Sequence, residues 1–234
     1  MFFKIDIMEI ISLKSLSKVY QDSNNSVVAV DGVSLTIGQG EFTAIVGPSG
    51  SGKTTLLNLL GGLDKPTSGD ILIDGVNIGY LSGSKMIEYR MNHIGFVFQS
   101  YNLIPVLTAR ENVEFIMFLQ GRPAKERAAR SAEMLNAVGL SDRMDSRPNK
   151  LSGGQQQRVA VARALASKPK YILADEPTAN LDSKSTENLL DIMERLNKEE
   201  NITFIFSTHD SRVMNKARRI VTLQDGKITS DVTK

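Results

Sequence analysis

One eight-residue stretch constrains this chain more than any other, because it prescribes both a backbone shape and a type of ligand. The stretch reads Gly47-Pro48-Ser49-Gly50-Ser51-Gly52-Lys53-Thr54 and fits the pattern G-x-x-x-x-G-K-[ST]. Its glycines permit a tight loop whose consecutive backbone N–H groups point inward, toward phosphate oxygens. An apolar strand at 41–46 precedes the loop, and a leucine-rich helix follows it and ends at Gly61-Gly62. This order predicts a phosphate-binding loop within an α/β fold.

Two side chains at the end of this loop, those of Lys53 and Thr54, have direct chemical roles. Lys53 supplies a cation for the β- and γ-phosphates of a nucleotide, and the Thr54 hydroxyl can ligate Mg²⁺. Thr55 continues the helix, whose positive N-terminal end also favours the phosphates. We therefore expect the whole stretch from Gly47 to Thr55 to bind ATP.

A second apolar strand, Tyr171 to Ala174, ends in the adjacent carboxylates Asp175 and Glu176. Because neighbouring side chains of a strand point to opposite sides, the two acids are expected to have different roles. Asp175 suits the shell of a Mg²⁺ ion, reached through a water molecule. Glu176 suits a general base that orients or deprotonates an attacking water. Taken alone, an Asp-Glu-Pro turn is more often a solvated surface turn, so this interpretation depends on the loop at Gly47.

The third motif is the pentapeptide Leu151-Ser152-Gly153-Gly154-Gln155, a match expected by chance in roughly one such chain in ten thousand. Ser152 and Gln155 have the spacing of a capping box, which predicts a helix that begins here. A capped, glycine-rich helix start is also an anion-binding site. Both interpretations can hold together, although no phosphate-binding segment of the same chain is near in sequence.

In this order the three motifs resemble those of the nucleotide-binding subunits of ABC transporters, over about residues 9–230. The resemblance implies an ATP hydrolase that requires Mg²⁺. It implies that Gln99, after Gly95-Phe96-Val97-Phe98, is the Q-loop glutamine and a member of the metal shell. It also implies that His209, after Phe206-Ser207-Thr208, is the switch histidine that contacts the γ-phosphate and the attacking water.

The same resemblance gives roles to two further residues and to the pentapeptide. Tyr20 is similar to the aromatic residue that stacks on adenine, and Asp182 belongs to a segment, Ala179-Asn180-Leu181-Asp182, similar to the D-loop. The family implies a head-to-tail homodimer, in which each ATP lies between the Lys53 loop of one subunit and the Ser152 helix start of the other. The pentapeptide would then be a signature motif that binds the partner's ATP.

The predicted fold is that of a P-loop NTPase: a RecA-like parallel sheet core with an antiparallel β subdomain and a helical subdomain. Short apolar runs at 171–174 and 202–206 predict buried parallel strands. Asp74-Gly75 and Asp225-Gly226, each between apolar alternations, predict hairpins. The hairpins occur toward both ends of the chain, so both ends are expected to contribute to the antiparallel sheet.

These patterns predict one domain over residues 9–230. We expect the core and the β subdomain to comprise about 9–98 and 165–230, and the helical subdomain to comprise about 99–164. Residues 1–7 form an interrupted apolar patch that is set aside from the fold, with Met8 as an alternative functional start.

The amino-acid composition limits which partners and which cellular compartment are expected for this chain. The 234 residues contain no cysteine, which excludes disulfides and fits a cytoplasmic protein. The formal net charge is +2 and no basic run is long enough for a nucleic-acid arm, so no nucleic-acid partner is expected. No stretch of 18 apolar residues is present to span a bilayer. The resemblance to ABC transporter subunits then implies a protein that is peripheral on the inner face of the cell membrane.

Further motifs resemble the lipoprotein-releasing (LolD) and macrolide-exporting (MacB) branch of the family: Gly61–Thr67, Phe96–Pro105 and Leu107–Val113. That branch implies an integral membrane permease as partner, and either export or mechanotransmission as the work done. The stretch from Ser100 to Leu119 is apolar for a surface segment, so part of it is expected to form the groove that binds this permease.

Three alternatives stay open. The first is a cell-division relative of the same branch, which also pairs with a membrane protein and would be separated by the neighbouring gene. The second is an ABC ATPase that acts on DNA or ribosomes, which would be expected to carry a long coiled coil or a second cassette. The third is a non-hydrolysing nucleotide sensor, in which Glu176, His209 or the signature would be degraded, whereas all are intact here.

Overall fold

The structure is a computed structural model that describes residues 8–22 and 25–234. The expectation for residues 1–7 concerns a segment outside this described part. Within it, the strands are β1 Glu9–Asp22, β2 Asn25–Gly38, β3 Phe42–Val46, β4 Ser68–Ile73, β5 Val76–Asn77, β6 Ile94–Phe98, β7 Tyr171–Asp175, β8 Thr203–Ser207, β9 Arg219–Gln224 and β10 Lys227–Thr233. The α-helices are α1 Lys53–Leu60, α2 Gly83–His93, α3 Ala109–Leu119, α4 Ala124–Ala137, α5 Gly153–Ala166, α6 Ser183–Glu200 and α7 Ser211–Lys216.

The larger sheet has the strand order β10-β9-β3-β8-β7-β6. Its pairs β9–β3, β3–β8, β8–β7 and β7–β6 are all parallel. All five residues of β8 are buried, as are the first four of β7, because helices cover both faces of a parallel sheet. The prediction of buried parallel strands at 171–174 and 202–206 is therefore confirmed.

The smaller sheet is antiparallel, with the order β2-β1-β4-β5. The β4–β5 hairpin turns at Asp74 and Gly75, whose φ angles of 51° and 77° are those of a type I′ turn. The C-terminal hairpin also forms, but the expectation that it joins this sheet is wrong. Asp225-Gly226 fixes only the local turn, whereas β9 pairs with β3 and buries Val221 and Leu223 in the larger sheet.

Helices α3, α4 and α5 pack on one another, and α5 also packs on β6. One apolar cluster runs through them into the sheet and includes Val97, Val113, Met117, Leu135 and Val159. Helix α5 therefore contacts both the other two helices of this group and the larger sheet. The boundary of the helical subdomain near residue 164 stays a prediction. Helix α2, which follows the β4–β5 hairpin, was not anticipated from the sequence.

The topology brings the phosphate-binding loop, the two adjacent carboxylates and His209 to one edge of the larger sheet. Strands β3, β8 and β7 are neighbours and run in the same direction, so their carboxyl ends lie side by side. The phosphate-binding loop follows β3, Asp175 and Glu176 lie at the end of β7, and His209 follows β8. Ligands bind at this edge in open α/β sheets.

Candidate active site

The loop between β3 and α1 requires glycine where it approaches its neighbours. Gly47 has φ 153° and Gly52 has φ 100°, both in the region that disfavours other residues. A Cβ atom at Gly47 would lie 2.0 Å from the Leu223 carbonyl oxygen, and one at Gly52 would lie 2.1 Å from the Ala29 carbonyl oxygen. Strands β9 and β2 therefore hold the loop too closely for any side chain at these two positions.

Lys53 is buried beneath the loop that it closes. Its ammonium donates hydrogen bonds to the carbonyl oxygens of Gly47, at 2.9 Å, and of Pro48, at 2.8 Å. Within the described ranges no carboxylate pairs with this ammonium, so its charge remains available to an anion. The buried Ser51 hydroxyl beside it has no hydrogen-bond partner among the described residues. A buried cation and an unpaired polar atom in one glycine loop fit a phosphate group.

Thr54 and Asp175 meet where β7 ends. The Thr54 hydroxyl donates a hydrogen bond to Asp175 Oδ1 at 3.3 Å. A hydroxyl and a carboxylate are hard oxygen ligands of the kind that Mg²⁺ prefers, and Mg²⁺ usually keeps several waters and substrate phosphates in its shell. The described residues contain no group of three or more His, Cys, Asp or Glu that could hold a metal alone. This pair therefore fits a magnesium ion that arrives with a nucleotide.

Glu176 turns away from Asp175 because its backbone is left-handed, with φ 46°. Its N–H donates to the Ser207 carbonyl oxygen at 2.9 Å, which ties the bend to the end of β8. One carboxylate oxygen lies 2.8 Å from His209 Nδ1, and the other accepts a longer bond of 3.4 Å from the Thr208 hydroxyl. Such a backbone costs about 1–3 kcal/mol in a residue other than glycine, and strain of this kind is concentrated at functional sites.

Another carboxylate, that of Asp210, was not predicted from the sequence and anchors the segment that carries His209. Asp210 caps α7 and accepts hydrogen bonds from the Arg212 guanidinium and from the Thr178 hydroxyl, the latter at 2.8 Å. Hydrogen bonds from Arg212 lower the pKa of Asp210 to about 2. The ionised carboxylate thus joins the turn after Glu176 to the turn that presents His209.

Most of the glycine loop, together with Glu176 and His209, lines one open cleft with a volume of about 610 Å³. The cleft is bounded by Val27, Val28, Ala29, Gly47, Pro48, Ser49, Gly50, Gly52, Lys53, Thr54, Thr55, Glu176 and His209. Most of the predicted nucleotide-binding residues are therefore brought together. Tyr20, Ser51, Gln99 and Asp175 are not among the described residues that line the cleft. Tyr20 is nevertheless paired with Val27 across the β1–β2 ladder, so it lies beside the cleft's margin.

Gln99 lies just beyond the end of β6 with an exposed side chain. Its carbonyl oxygen accepts a hydrogen bond of 3.0 Å from the Asn180 side chain. After Ser100, Tyr101 and Asn102 have left-handed backbones, and the Arg163 guanidinium donates to both of their carbonyl oxygens. Helix α5 therefore holds the segment that follows Gln99, while the Gln99 side chain itself faces solvent.

The pentapeptide forms the predicted capping box at the start of α5. The Ser152 N–H donates to Gln155 Oε1 at 2.8 Å, and the Gln155 N–H donates to the Ser152 hydroxyl at 3.3 Å. Leu151 is buried in the core, and a Cβ at Gly153 would lie 2.8 Å from the Tyr101 hydroxyl. The helix start is thus exposed but closely fitted to the segment after Gln99.

A second, smaller cleft opens at this helix start. It is lined by Ser152, Gly154, Gln155, Arg158, Lys184, Ser185 and Asn188, none of which lines the larger cleft. Asp182 caps α6 beside it, accepting from the Ser185 N–H at 2.9 Å and from the Ser185 hydroxyl at 2.7 Å. Within one chain the signature motif and the phosphate-binding loop therefore belong to separate sites.

A parallel sheet with a glycine loop after β3, carboxylates at the end of β7 and a histidine after β8 defines the class of P-loop nucleoside triphosphatases. The ABC transporter family matches residues 30–179 of this chain. The chain belongs to that family, and it is an ATP-binding and ATP-hydrolysing component of a transporter. In the described residues no helix is both long and apolar enough to cross a membrane.

Three similar proteins place the chain within the family. An uncharacterised ABC transporter ATP-binding protein of Thermotoga maritima is 49% identical over 220 residues, which cover 94% of each chain. The macrolide export ATP-binding/permease protein MacB of Brucella melitensis is 47% identical over 225 residues. This match covers 96% of the chain but 35% of MacB, so the chain spans about a third of that relative.

The third is a solved structure, the post-hydrolysis dimer of the ATP-binding cassette MJ0796 bound to ADP and Pi. It superposes with a TM-score of 0.88 at 43% identity, covering 96% of this chain and 98% of that one. By sequence, MJ0796 of Methanocaldococcus jannaschii is 46% identical over 222 residues. The predicted family, branch and fold class are therefore confirmed.

Proposed function

We propose that the larger cleft hydrolyses ATP with the residues that it brings together. Lys53 binds the β- and γ-phosphates, and the loop from Gly47 to Gly52 donates its N–H groups to them. Glu176 accepts a proton from the attacking water, and His209 orients both that water and the Glu176 carboxylate. The observation that best supports this assignment is the 2.8 Å contact between Glu176 and His209, because both residues line the same cleft as Lys53.

The proposed metal site uses the Thr54 hydroxyl directly and Asp175 through a water molecule, and the Gln99 amide after β6 would complete it. Bound there, Mg²⁺ would neutralise charge on the phosphates. The chain's own contribution is to fix the two oxygen ligands at the carboxyl end of β7 and to keep Glu176 apart from them. A strand already directs neighbouring side chains to opposite sides, and the left-handed bend at Glu176 adds to the separation by placing its carboxylate beside His209.

We infer further that two copies associate head to tail, and that each ATP lies between the larger cleft of one copy and the Ser152 helix start of the other. Two observations support this. The clefts share no lining residue within one chain, and the Ser152 helix start is an exposed, capped N-terminus with Arg158 and Lys184 beside it. An N-terminus flanked by cations suits a phosphate group. The MJ0796 cassette is itself a dimer with ADP and Pi.

Mixing two inactive variants tests the head-to-tail arrangement. Lys53→Ala damages the larger cleft and Ser152→Ala damages the signature, so each homodimer has two broken sites. A heterodimer has both lesions in one site and leaves the other intact. We expect about a quarter of wild-type ATPase activity on mixing, because half of randomly paired dimers are heterodimers with one working site of two.

Each variant alone at the same total concentration is the matched control. Absence of recovery, with heterodimers verified by differently tagged chains, would show that the sites lie within one chain or cannot act singly.

The proposed partner is an integral membrane permease, bound where the stretch from Ser100 to Leu119 reaches the surface. In this stretch Val113 and Met117 are buried in the core, whereas Val106, Phe118 and Leu119 are exposed. Exposed apolar side chains of this size suit a protein-binding surface. MacB, which combines ATP-binding and permease parts in its name, is consistent with such a partner. This proposal places the chain on the inner face of the cell membrane.

A further inference from the structure

Tyr20 is held in one position by a carboxylate that lies far from it in sequence. Its hydroxyl donates a hydrogen bond of 2.8 Å to Asp64 Oδ2, in the segment that follows α1. Tyr20 as a whole is 43% exposed, on the antiparallel sheet beside the larger cleft. Its partner across the β1–β2 ladder, Val27, lines that cleft. The Tyr20 ring is thus both exposed and tethered.

Lys18 completes the arrangement from the same face of β1, two residues before Tyr20. Its ammonium lies 4.8 Å from the centroid of the Tyr20 ring. It also donates hydrogen bonds to Asp64 Oδ1 at 2.7 Å and to the Lys65 carbonyl oxygen at 2.9 Å. The Lys18 side chain is only 13% exposed. One carboxylate therefore binds both the ring's hydroxyl and the cation that covers one face of the ring.

The charges of this cluster fit its geometry at neutral pH. Burial raises the pKa of Asp64, but hydrogen bonds from Lys18, Tyr20 and the Lys65 N–H outweigh it, so the pKa is lowered overall. Burial and then Asp64 raise the pKa of the Tyr20 hydroxyl. The carboxylate is therefore ionised and the phenol keeps its proton, which leaves the phenol as the donor.

We propose that Asp64 and Lys18 are positioning residues for adenine, which they serve by presenting the free face of the Tyr20 ring to the base. This inference rests on the proposed role of Tyr20 in stacking. The cation covers one face of the ring, so a base can stack only on the other. A cation draws electron density from a ring, which favours stacking with an electron-rich purine on the opposite face. A ring already fixed also loses less freedom when the base binds.

The test compares ATP with inorganic tripolyphosphate, which has the phosphates but no base. Tyr20→Ala should raise KM for ATP about tenfold, the range of one base–aromatic stack. Asp64→Ala should raise KM for ATP about threefold, because the untethered Tyr20 ring loses more freedom when the base binds. Both should change kcat less than KM and leave the calorimetric affinity for tripolyphosphate unaltered. Asp64→Asn, which keeps an acceptor for the phenol, should recover part of the loss.

Asp70→Ala is the matched control, because Asp70 also accepts a side-chain hydrogen bond in the antiparallel subdomain, from Asn77 at 2.8 Å. It should not change KM. If Asp64→Ala fails to fold, Lys18→Met replaces it, since that variant uncovers the ring and removes the ammonium from Asp64.

A double-mutant cycle decides the outcome. In the Tyr20→Ala background the Asp64 substitution should have no further effect on KM, because the ring that it positions is gone. An equal effect in both backgrounds, or weaker tripolyphosphate binding, overturns the inference, since Asp64 would then act on the phosphate-binding loop. If Tyr20→Ala itself leaves KM unchanged, the proposed adenine contact fails, and the inference fails with it. If instead only the Asp64 substitution leaves KM unchanged, the adenine contact of Tyr20 stands and the positioning role of Asp64 is wrong.

Discussion

Replacing Glu176 by glutamine isolates proton transfer from shape. The carboxamide keeps the volume of the side chain, and its oxygen can still accept from the Thr208 hydroxyl, which now contacts Oε2 at 3.4 Å. The N–H of residue 176 would still bind the Ser207 carbonyl oxygen, so the backbone bend should persist. What is lost is a group that can take a proton 2.8 Å from His209 Nδ1.

The size of the loss follows from that role. A positioned general base contributes about 10²–10⁴ in rate, so we expect kcat to fall by that factor, equivalent to about 3–5 kcal/mol of barrier. Lys53, Thr54 and Asp175 are untouched, so the affinity for Mg-ATP should stay within about threefold of wild type, less than the effect of one hydrogen bond. ATP that binds without being cleaved should stabilise the head-to-tail dimer.

The assay is phosphate release at saturating Mg-ATP, paired with light scattering to report the mass of the particle. Glu199→Gln is the matched control, because Glu199 is an exposed glutamate near the end of α6. A kcat within tenfold of wild type would refute the role of Glu176 as base. A particle that remains monomeric with Mg-ATP at high protein concentration would refute the dimer instead.

Other perturbations separate the remaining roles. Lys53→Ala should abolish tight ATP binding in calorimetry, and retained micromolar affinity would contradict its contact with the phosphates. His209→Ala should lower kcat about 10²-fold with little change in ATP affinity, and a large loss of affinity would move the imidazole to a binding role. Val106→Glu, at a residue that is 72% exposed, should uncouple transport from ATP hydrolysis without changing the ATPase activity of the free protein. Val232→Glu, at an exposed valine of β10, is the control. Equal effects of the two variants on transport would exclude a permease-binding groove at Val106. Asp210, whose pKa is about 2 in the fold against 3.8, should stabilise the fold above about pH 4 and lose this effect as pH falls toward 2. The difference in unfolding free energy between wild type and Asp210→Asn should shrink over that window, and a difference independent of pH would contradict the assignment.

The sequence predicted the features that depend on neighbouring residues. The glycine loop, the capping box at Ser152 and the turn at Asp74-Gly75 are all determined within a few positions, and each forms as expected. Roles such as that of Gln99 came from the family resemblance, and they stay predictions because no geometry in the chain tests them.

What the sequence did not predict depends on packing between distant segments. The bond from Tyr20 to Asp64 spans 44 positions, and nothing in either local pattern indicates it. The spacing of Lys18 and Tyr20 on one strand face was a readable signal, but only the position of Asp64 gives it meaning. The C-terminal hairpin was placed in the wrong sheet for the same reason: a turn motif specifies its own two strands and not the strand that they join.

The left-handed backbone at Glu176 has a consequence for how such a chain evolves. Glycine or asparagine adopts φ 46° with less strain, so either would be expected to give a more stable fold at this position. Glutamine would not, since it has the same Cβ as glutamate. Selection for stability alone would therefore favour glycine or asparagine at this position, and the protein would then lack its general base. A glutamate in this conformation therefore keeps the general base at the expense of stability that the same architecture could otherwise reach.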